Sequence, residues 1–211
     1  MPIHREGYPF IALFAAINLL AFLLAGWLGW ILLPITIWCI AFFRDPERHA
    51  PQGADLVICP ADGKLLPIVQ AAPPPELGMG DAPLTRLSIF MNVFNVHVNR
   101  NPVSGQVVAL SYRPGKFFNA SFDKASVHNE RMSIRLRRDS GHELAVVQIA
   151  GLVARRIVCD LVQGQSVTAG ARFGIIRFGS RVDVYLPPNS EILVTPGLKT
   201  RAGETVLARL V

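Results

Sequence analysis

An uncharged apolar run near the N-terminus constrains this chain most. Between Tyr8 and Phe43 there is no Asp, Glu, Lys or Arg. As one helix the run would be roughly 54 Å long at about 1.5 Å per residue, against a hydrocarbon core of about 30 Å. Residues 26–30, Gly-Trp-Leu-Gly-Trp, lie in its middle, where Gly favours a turn and Trp the lipid interface. The run therefore predicts a membrane hairpin of two short helices, residues 8–25 and 28–43.

The flanking charges predict the orientation of this hairpin. His4 and Arg5 precede the run, and Arg44 and Arg48 follow it. Because basic residues favour the cytoplasmic side, both ends and the rest of the chain are expected on the cytoplasmic face of a cell membrane. A secretory signal peptide is the alternative for the first helix, but a second apolar run follows it and no clear small-residue cleavage site is present.

Charge and cysteine content limit the kinds of ligand, partner and metal site that this chain is expected to have. The chain has 21 Lys plus Arg against 15 Asp plus Glu, a net charge of +6, which in a tethered protein favours an anionic membrane surface or an anionic lipid substrate. Aromatic residues do not alternate with basic ones as in a nucleic-acid module, so no nucleic-acid partner is predicted. Cys39, Cys59 and Cys159 have no CxxC spacing, which favours reduced packing cysteines and no metal site.

The remainder of the chain has the pattern of a β domain. Residues 44–55 are charged and contain proline, as in a linker, and short Val- and Ile-rich segments broken by Gly, Pro and Asn follow. The expected strands are residues 56–59, 65–69, 85–91, 107–112, 133–136, 144–149, 156–161, 174–178, 182–186 and 191–194. The predicted fold is a mostly β catalytic domain at 56–211, barrel- or sandwich-like, with Gly-punctuated short strands, preceded by the N-terminal α-helical anchor at 1–43.

The dipeptide Gly179-Ser180 stands between two apolar segments, residues 173–178 and 182–186. Two apolar runs joined by Gly-X are typical of a type II′ hairpin turn. The same dipeptide is also compatible with a self-cleavage point, because a serine hydroxyl can attack the preceding carbonyl. The residues of this segment alone leave both interpretations open.

Five segments, taken in order, resemble a known family. They are residues 42–48 (FFRDPER), 60–63 (PADG), 90–100 (FMNVFNVHVNR), 119–126 (NASFDKAS) and 173–180 (FGIIRFGS). Their order, with Gly-Ser about thirty residues from the C-terminus, is similar to the phosphatidylserine decarboxylase proenzymes, specifically the short membrane-anchored bacterial form. Longer members carry Leu-Gly-Ser-Thr where this chain has Phe-Gly-Ser-Arg.

The resemblance implies a pyruvoyl enzyme of phospholipid biosynthesis. The proenzyme would cut itself between Gly179 and Ser180 into a large chain, 1–179, and a small chain, 180–211, and Ser180 would become a covalent pyruvoyl cofactor. A Schiff base between that group and the amine of phosphatidylserine would allow loss of CO₂ and give phosphatidylethanolamine. The expected assembly is a heterodimer of the two chains at the bacterial inner membrane, and a further homo-oligomer stays open.

The resemblance also implies the site residues. Members of the family use an Asp-His-Ser set, which corresponds to Asp62, His97 and Ser180, and a His oriented by a carboxylate commonly takes a hydroxyl proton. By themselves, Asp62 before Gly63 is typical of a turn, and His97 between two valines is typical of a hydrogen-bonded strand residue. Candidate ligands for the head-group phosphate, chosen by nearness to the five segments, are Arg113, Lys116, Asn119, Arg155 and Arg156.

Two other functions remain compatible with the sequence. Residues 165–186 have the short, Gly-punctuated strands of a lipoyl-like binding module, in which Gly179-Ser180 would be an inert turn. A serine hydrolase built on Ser180 is the other, but Ser180 lacks the Gly-x-Ser-x-Gly pattern and precedes an apolar, strand-like segment.

Overall fold

The computed structural model of the chain describes residues 2–53, 55–115, 129–151, 156–177 and 179–211. The contacts divide the chain into two units. The first extends to Glu47 and includes Phe94–Val96, and the second comprises Arg48–Val93 and His97–Val211. Each unit is described by itself.

The first unit is a pair of apolar helices, α1 (Tyr8–Leu24) and α2 (Gly26–Phe42). A 3-10 turn, Arg5–Gly7, leads into α1, and together they form a helix of 20 residues with mean hydropathy 2.0, long and apolar enough to cross a membrane. The connection between the helices is Ala25 alone, in an extended conformation. The N-terminal apolar helical region predicted from the sequence is therefore present, with a shorter turn than expected.

Gly29 allows the two helices to approach each other closely. It lies inside α2, within the predicted helix 28–43, and an added Cβ would come 2.2 Å from the Phe22 ring. Its role is thus close helix packing, and the neighbouring contacts agree. Asn18 Nδ2 donates to the Gly29 carbonyl at 2.9 Å, and Thr36 Oγ1 donates to the Phe14 carbonyl at 3.4 Å. These bonds satisfy polar side chains within an otherwise apolar hairpin.

The second unit is built of short strands, which confirms the mostly β prediction. They are β1 (Leu56–Ile58), β2 (Gly63–Leu65), β3 (Val69–Ala71), β4 (Leu84–Met91), β5 (Val98–Arg100), β6 (Gly105–Arg113), β7 (Arg131–Arg137), β8 (Glu143–Ala150), β9 (Ile157–Cys159), β10 (Ser166–Val167), β11 (Arg172–Ile176), β12 (Ser180–Leu186), β13 (Glu191–Ile192), β14 (Lys199–Thr200) and β15 (Val206–Arg209). A 3-10 turn, Pro75–Leu77, lies between β3 and β4.

The described strands form three antiparallel sheets. The largest has the order β10-β6-β7-β8-β12-β4-β2-β14, with β3 also paired to β4. The two smaller sheets have the orders β1-β15-β13 and β5-β11-β9. Sequence-distant segments therefore lie side by side, and β12 lies in the middle of the large sheet between β8 and β4.

Pro67 divides what the sequence predicted as one strand at residues 65–69. The structure has the end of β2 at Leu65 and the start of β3 at Val69. Leu66 still donates its N–H to the Ser88 carbonyl of β4, but Pro67 has no N–H to continue the ladder. Both fragments pair with β4 on either side of this interruption.

The two faces of the large sheet are packed differently. Val182, Val184 and Leu186 of β12 join the main hydrophobic core, together with Met91 and Ala150. On the opposite face, Tyr185 packs in a smaller cluster with Leu77, Ala145, Val147 and Ile149. Because side chains alternate along a strand, Ser180 belongs to the core face, whereas Arg181 and Asp183 belong to the opposite face.

Candidate active site

The Gly179-Ser180 peptide lies where the chain passes from one sheet to another. β11 ends at Ile176 and pairs with β5 and β9, whereas β12 begins at Ser180 and pairs with β8 and β4. The two apolar segments around the dipeptide therefore do not form a ladder with each other, and the hairpin-turn interpretation is wrong. Ser180 also begins a strand and no helix, unlike the nucleophile of a strand-turn-helix elbow.

Gly179 has a backbone conformation that suits glycine. Its φ is +67°, in the left-handed region that other L-residues adopt at a cost of about 1–2 kcal/mol. A Cβ added to it would meet no heavy atom within 4 Å. The requirement for glycine therefore comes from the backbone conformation and not from lack of space.

Ser180 is fully buried at the start of β12. Its Cα is paired with Met91 of β4 on one side and Ala150 of β8 on the other. Within the described part of the chain, its hydroxyl oxygen is buried and has no hydrogen-bond partner. An unpaired buried hydroxyl costs about 1–3 kcal/mol, so a buried serine in this state calls for a functional explanation.

His97 lies beside the segment that leads to Ser180. It is fully buried and immediately precedes β5. Its carbonyl accepts the N–H of Ile176 at 3.4 Å, and Val98 pairs with Ile175. The backbone of His97 is thus next to a residue only four positions before Ser180.

Two buried amides connect the strand of His97 to the neighbours of Ser180. Gln148 Nε2 donates to Asn99 Oδ1 at 2.8 Å, and Asn99 Nδ2 donates to the sulfur of Met91 at 3.8 Å. Asn99 and Gln148 are both fully buried, and Gln148 Oε1 has no partner among the described residues. Sequence reasoning gave these residues no role, although one polar residue within the apolar run 144–149 is a signal that could have singled out Gln148.

Asp62 lies on the other side of β4. Gly63 begins β2 so close to β4 that an added Cβ would come 2.3 Å from the Phe90 carbonyl. The start of β2 and the start of β12 therefore flank the Met91 end of β4, with backbones about 10 Å apart at the usual spacing between strands. The Asp62 carboxylate accepts hydrogen bonds from the N–H of Ala202 at 2.7 Å and from Arg48 Nη2 at 3.1 Å. Asp62 therefore precedes the end of β2 that lies beside the Met91 end of β4, where β12 begins with Ser180.

The predicted phosphate ligands separate into three groups. Lys116, Asn119 and Arg155 lie outside the described residues. Arg156 is exposed, and its carbonyl accepts the N–H of Arg177 at 3.3 Å, which places it beside the connection to Gly179. Arg113 belongs to β6, which β7 and β8 separate from β12 by about 14 Å, on the face opposite Ser180. The structure does not bring Arg113 to Ser180.

The cysteines and possible metal ligands leave serine as the candidate nucleophile. Burial raises the pKa of Cys59 to about 12, only partly offset by hydrogen bonds to Ala61 and Thr200, so this thiol is protonated at neutral pH. Among the described residues, no group of three His, Cys, Asp or Glu side chains could hold a metal ion. Ser180 and Ser88 are the described serines with a buried, unpaired hydroxyl, and of the two it is Ser180 that follows Gly179.

Comparison with known proteins identifies the class to which this fold and site belong. A model of the phosphatidylserine decarboxylase family matches residues 35–208. The chain is 60% identical over 209 residues to the phosphatidylserine decarboxylase proenzyme of Paramagnetospirillum magneticum, covering 99% of this chain and 87% of that protein. It is 58% identical to the proenzyme of the same name from Rickettsia felis, with 98% and 89% covered, and 56% identical to that from Cereibacter sphaeroides, with 99% and 90% covered.

These matches define a class of lyases that are made as proenzymes. The chain belongs to the phosphatidylserine decarboxylase family. The resemblance noted in the sequence, and the enzyme class that it implied, are thereby confirmed.

Proposed function

We propose that this chain cuts itself between Gly179 and Ser180 and then converts phosphatidylserine to phosphatidylethanolamine and CO₂. The observation that carries the proposal is the Ser180 hydroxyl, fully buried and unpaired within the described structure, directly after a glycine at φ +67°. The names of the relatives, decarboxylase proenzymes, support both the substrate and the need for processing.

The cut requires only groups of this chain. Ser180 Oγ attacks the Gly179 carbonyl, its proton goes to a base, and the C–N bond breaks to leave an ester and a free amine on residue 180. Loss of the α-proton of residue 180 then breaks the Cβ–O bond and releases the Gly179 carboxylate. The remaining dehydroalanine takes up water and loses ammonia, which gives the pyruvoyl group. The unpaired hydroxyl of Ser180 fits a group that must donate its proton to a base during the reaction.

His97 is the proposed base for these proton transfers. It is fully buried, and its backbone contacts Ile176 in the strand that leads to the cut. Asp62 is the proposed carboxylate of the set, held by Ala202 and Arg48 at the same end of β4. A positioned general base contributes about 10²–10⁴-fold to a rate, which sets the expected size of the effect when His97 is replaced.

When formed, the pyruvoyl group supplies an electron-withdrawing carbonyl that allows an amine-bound substrate to lose CO₂ without a diffusible cofactor. Residue 180 would still be enclosed by Met91 and Ala150, and the Asn99–Gln148 pair would lie beside it. Such a water-excluded site favours a reaction in which a carboxylate is lost as neutral CO₂. The exposed Arg156 is the candidate within the described residues for the head-group phosphate.

The helical hairpin is the proposed membrane anchor. Leu19, Leu23, Leu24, Trp27 and Trp30 are each more than half exposed. Surfaces of this composition are covered by lipid in membrane proteins, and Arg5 and Arg44 at the two ends favour a cytoplasmic placement of both. We therefore propose the inner face of a bacterial membrane, where the serine lipid is available.

Intact mass tests the cut. The wild-type protein should give two chains, with the small chain beginning at residue 180 and lighter than a serine-led peptide. Ser180→Ala should remain whole and inactive. Ser88→Ala is the matched control, because Ser88 is also buried with an unpaired hydroxyl within the described structure, yet it lies on the other face of the sheet. An active protein with a single full-length mass would refute the proposal and favour the binding module.

The base and the carbonyl chemistry have separate tests. His97→Gln should slow the cut by about 10²–10⁴-fold, whereas His142→Gln, in a turn between β7 and β8, should not change it. Treatment with borohydride in the presence of phosphatidylserine should reduce the Schiff base to a secondary amine, which links the lipid to the small chain of the wild-type protein with loss of the ketone oxygen as water, and should leave uncut Ser180→Ala unmodified. No added mass in an active enzyme would exclude a carbonyl at residue 180.

A further inference from the structure

A chain of hydrogen bonds between three buried side chains crosses the core face of β12 beside the proposed cut. Gln148 Nε2 donates to Asn99 Oδ1 at 2.8 Å, and Asn99 Nδ2 donates to the sulfur of Met91 at 3.8 Å. Gln148 belongs to β8 and Met91 to β4, the two strands that flank β12. The Asn99 amide therefore joins the two neighbours of β12 at the end where β12 begins.

Gln148 and Ser180 face the same side of the large sheet. Val146 and Ala150, two residues before and after Gln148, both belong to the main core, so the Gln148 side chain points the same way. Ser180 pairs with Ala150, which makes Gln148 its diagonal neighbour on the adjacent strand. Diagonal neighbours lie about 7–8 Å apart, within reach of a long side chain such as glutamine.

The hydrogen bonds determine which end of the Gln148 amide is left over. Asn99 directs its Nδ2 to Met91, so its Oδ1 is the atom that accepts from Gln148 Nε2. The other end of that amide, Gln148 Oε1, is buried and has no hydrogen-bond partner within the described part of the chain. A buried acceptor without a donor destabilises the fold, so one beside a reacting residue points to a donor that the reaction supplies.

The proposed cut supplies such a donor at residue 180. When Ser180 Oγ bonds to the Gly179 carbonyl carbon and the C–N bond breaks, the hydroxyl proton ends on the nitrogen. Residue 180 then carries a primary amine with two N–H bonds, where the amide had one. This amine forms in a buried place, between the strand positions of Met91 and Ala150. It therefore needs an acceptor from the protein.

We propose that Gln148 Oε1 accepts a hydrogen bond from this amine and stabilises the ester form of the chain relative to the uncut amide. Asn99 is a positioning residue, because it holds the Gln148 amide with the oxygen left for this contact. The inference rests on the proposed self-cut and adds a contact made only as the C–N bond breaks. An interaction that is absent from the starting state favours the reaction without stabilising the uncut chain.

Trapping the ester with hydroxylamine tests the proposal. Hydroxylamine displaces the Ser180 oxygen from the Gly179 carbonyl and leaves a small chain that begins with an intact serine, which intact mass distinguishes from a pyruvoyl-led chain. Gln148→Met removes the acceptor but keeps the length of the side chain. It should lower the yield of the serine-led chain about tenfold, the effect of losing one hydrogen bond to an amine. Asn99→Leu, which removes the group that orients Gln148, should also lower this yield.

Two further variants separate the acceptor from packing. In Gln148→Glu, burial favours the protonated carboxyl, which donates to Asn99 Oδ1 and keeps one oxygen as an acceptor, so the yield should stay close to that of the wild type. Ser133→Ala is the matched control, because Ser133 is fully buried and loses a hydrogen bond of 2.8 Å to Glu76. It pairs with Val147 on the opposite face of the sheet, so it should trap as much ester as the wild type does.

The outcomes distinguish this inference from the self-cut on which it rests. A wild-type yield from Gln148→Met, or a yield from Gln148→Glu as low as that from Gln148→Met, would overturn the role of Gln148 while the self-cut stands. A wild-type chain that gives neither a serine-led nor a pyruvoyl-led fragment would overturn both.

Discussion

Replacing Gly179 tests whether the backbone conformation at the proposed cut controls its rate. At φ +67° an alanine costs about 1–2 kcal/mol more than glycine. An added Cβ has no neighbour within 4 Å, so no steric clash contributes to this cost. If Gly179→Ala escapes the strain by leaving the left-handed region, its carbonyl moves away from Ser180 Oγ.

The expected magnitude follows from that free energy. A cost of about 1–2 kcal/mol lowers the population of the cleavable conformation about 5- to 30-fold, since about 1.4 kcal/mol corresponds to a factor of ten. Gly179→Ala should therefore cut about 5- to 30-fold more slowly than the wild type. Gly179→Asn should fall between the two, because asparagine adopts the left-handed region more readily than alanine.

The assay is the appearance of the small chain after a pulse of synthesis, followed by intact mass. Gly141→Ala provides the control, because Gly141 has φ +87°, also has open space around it and lies in the turn between β7 and β8. It should lose similar stability but cut at the wild-type rate. Cutting of Gly179→Ala at the wild-type rate, or slowing of Gly141→Ala by the same factor, would refute the reasoning.

Two further predictions concern buried and half-buried ion pairs. Asp183→Asn, in the uncut Ser180→Ala background, should lower the free energy of unfolding in urea by about 3–5 kcal/mol, because it removes the carboxylate that pairs with buried Arg181. Glu191→Gln, which breaks an exposed pair with Arg209, should lower it by no more than about 1 kcal/mol. Equal losses in the two variants would contradict the role of burial. Burial pulls the pKa of Glu143 upward, but hydrogen bonds from Arg135 and Arg137 outweigh it and hold the pKa below its ordinary value. Since the folded pKa is depressed, this stabilisation is present above the unfolded pKa of about 4.3 and is lost as pH falls through the folded pKa. The urea midpoint should therefore drop in acid more steeply for the parent than for Glu143→Gln, and parallel pH curves would exclude the contribution.

Local sequence patterns predicted the helices and the β-rich region better than they predicted which strands pair with each other. The apolar helical run, the β-rich remainder and the family were all visible in the sequence, because hydrophobic periodicity and short motifs are local signals. The pairing of β12 with β8 and β4 was not visible in the sequence. The hairpin-turn interpretation was wrong for that reason, because the apolar segments on either side of Gly179-Ser180 look alike whether or not they pair with each other.

The unpredicted parts of the site depend on register. Asn99 and Gln148 are far apart in sequence, and only the contacts among β5, β8 and β4 bring their amides together beside Met91. The alignment of Arg113, Arg131 and Arg181 with Ile149 across four neighbouring strands has the same origin, since each arginine looks like an ordinary strand residue until three ladders align them. The sequence singled out Arg113 by its nearness to the five segments, and only the strand order shows that it lies on the face opposite Ser180.

The central place of β12 has a consequence for how the processed protein can be assembled. The proposed small chain, 180–211, contributes β12 to the middle of the large sheet, β14 to the pairing with β2 and β15 to the pairing with β1. A separated small chain would have to find three positions at once by collision, whereas in the precursor the same strands are tethered and their search is unimolecular. Refolding of the cut protein should thus depend on concentration and that of the precursor should not, so the proposed cut is expected to follow folding.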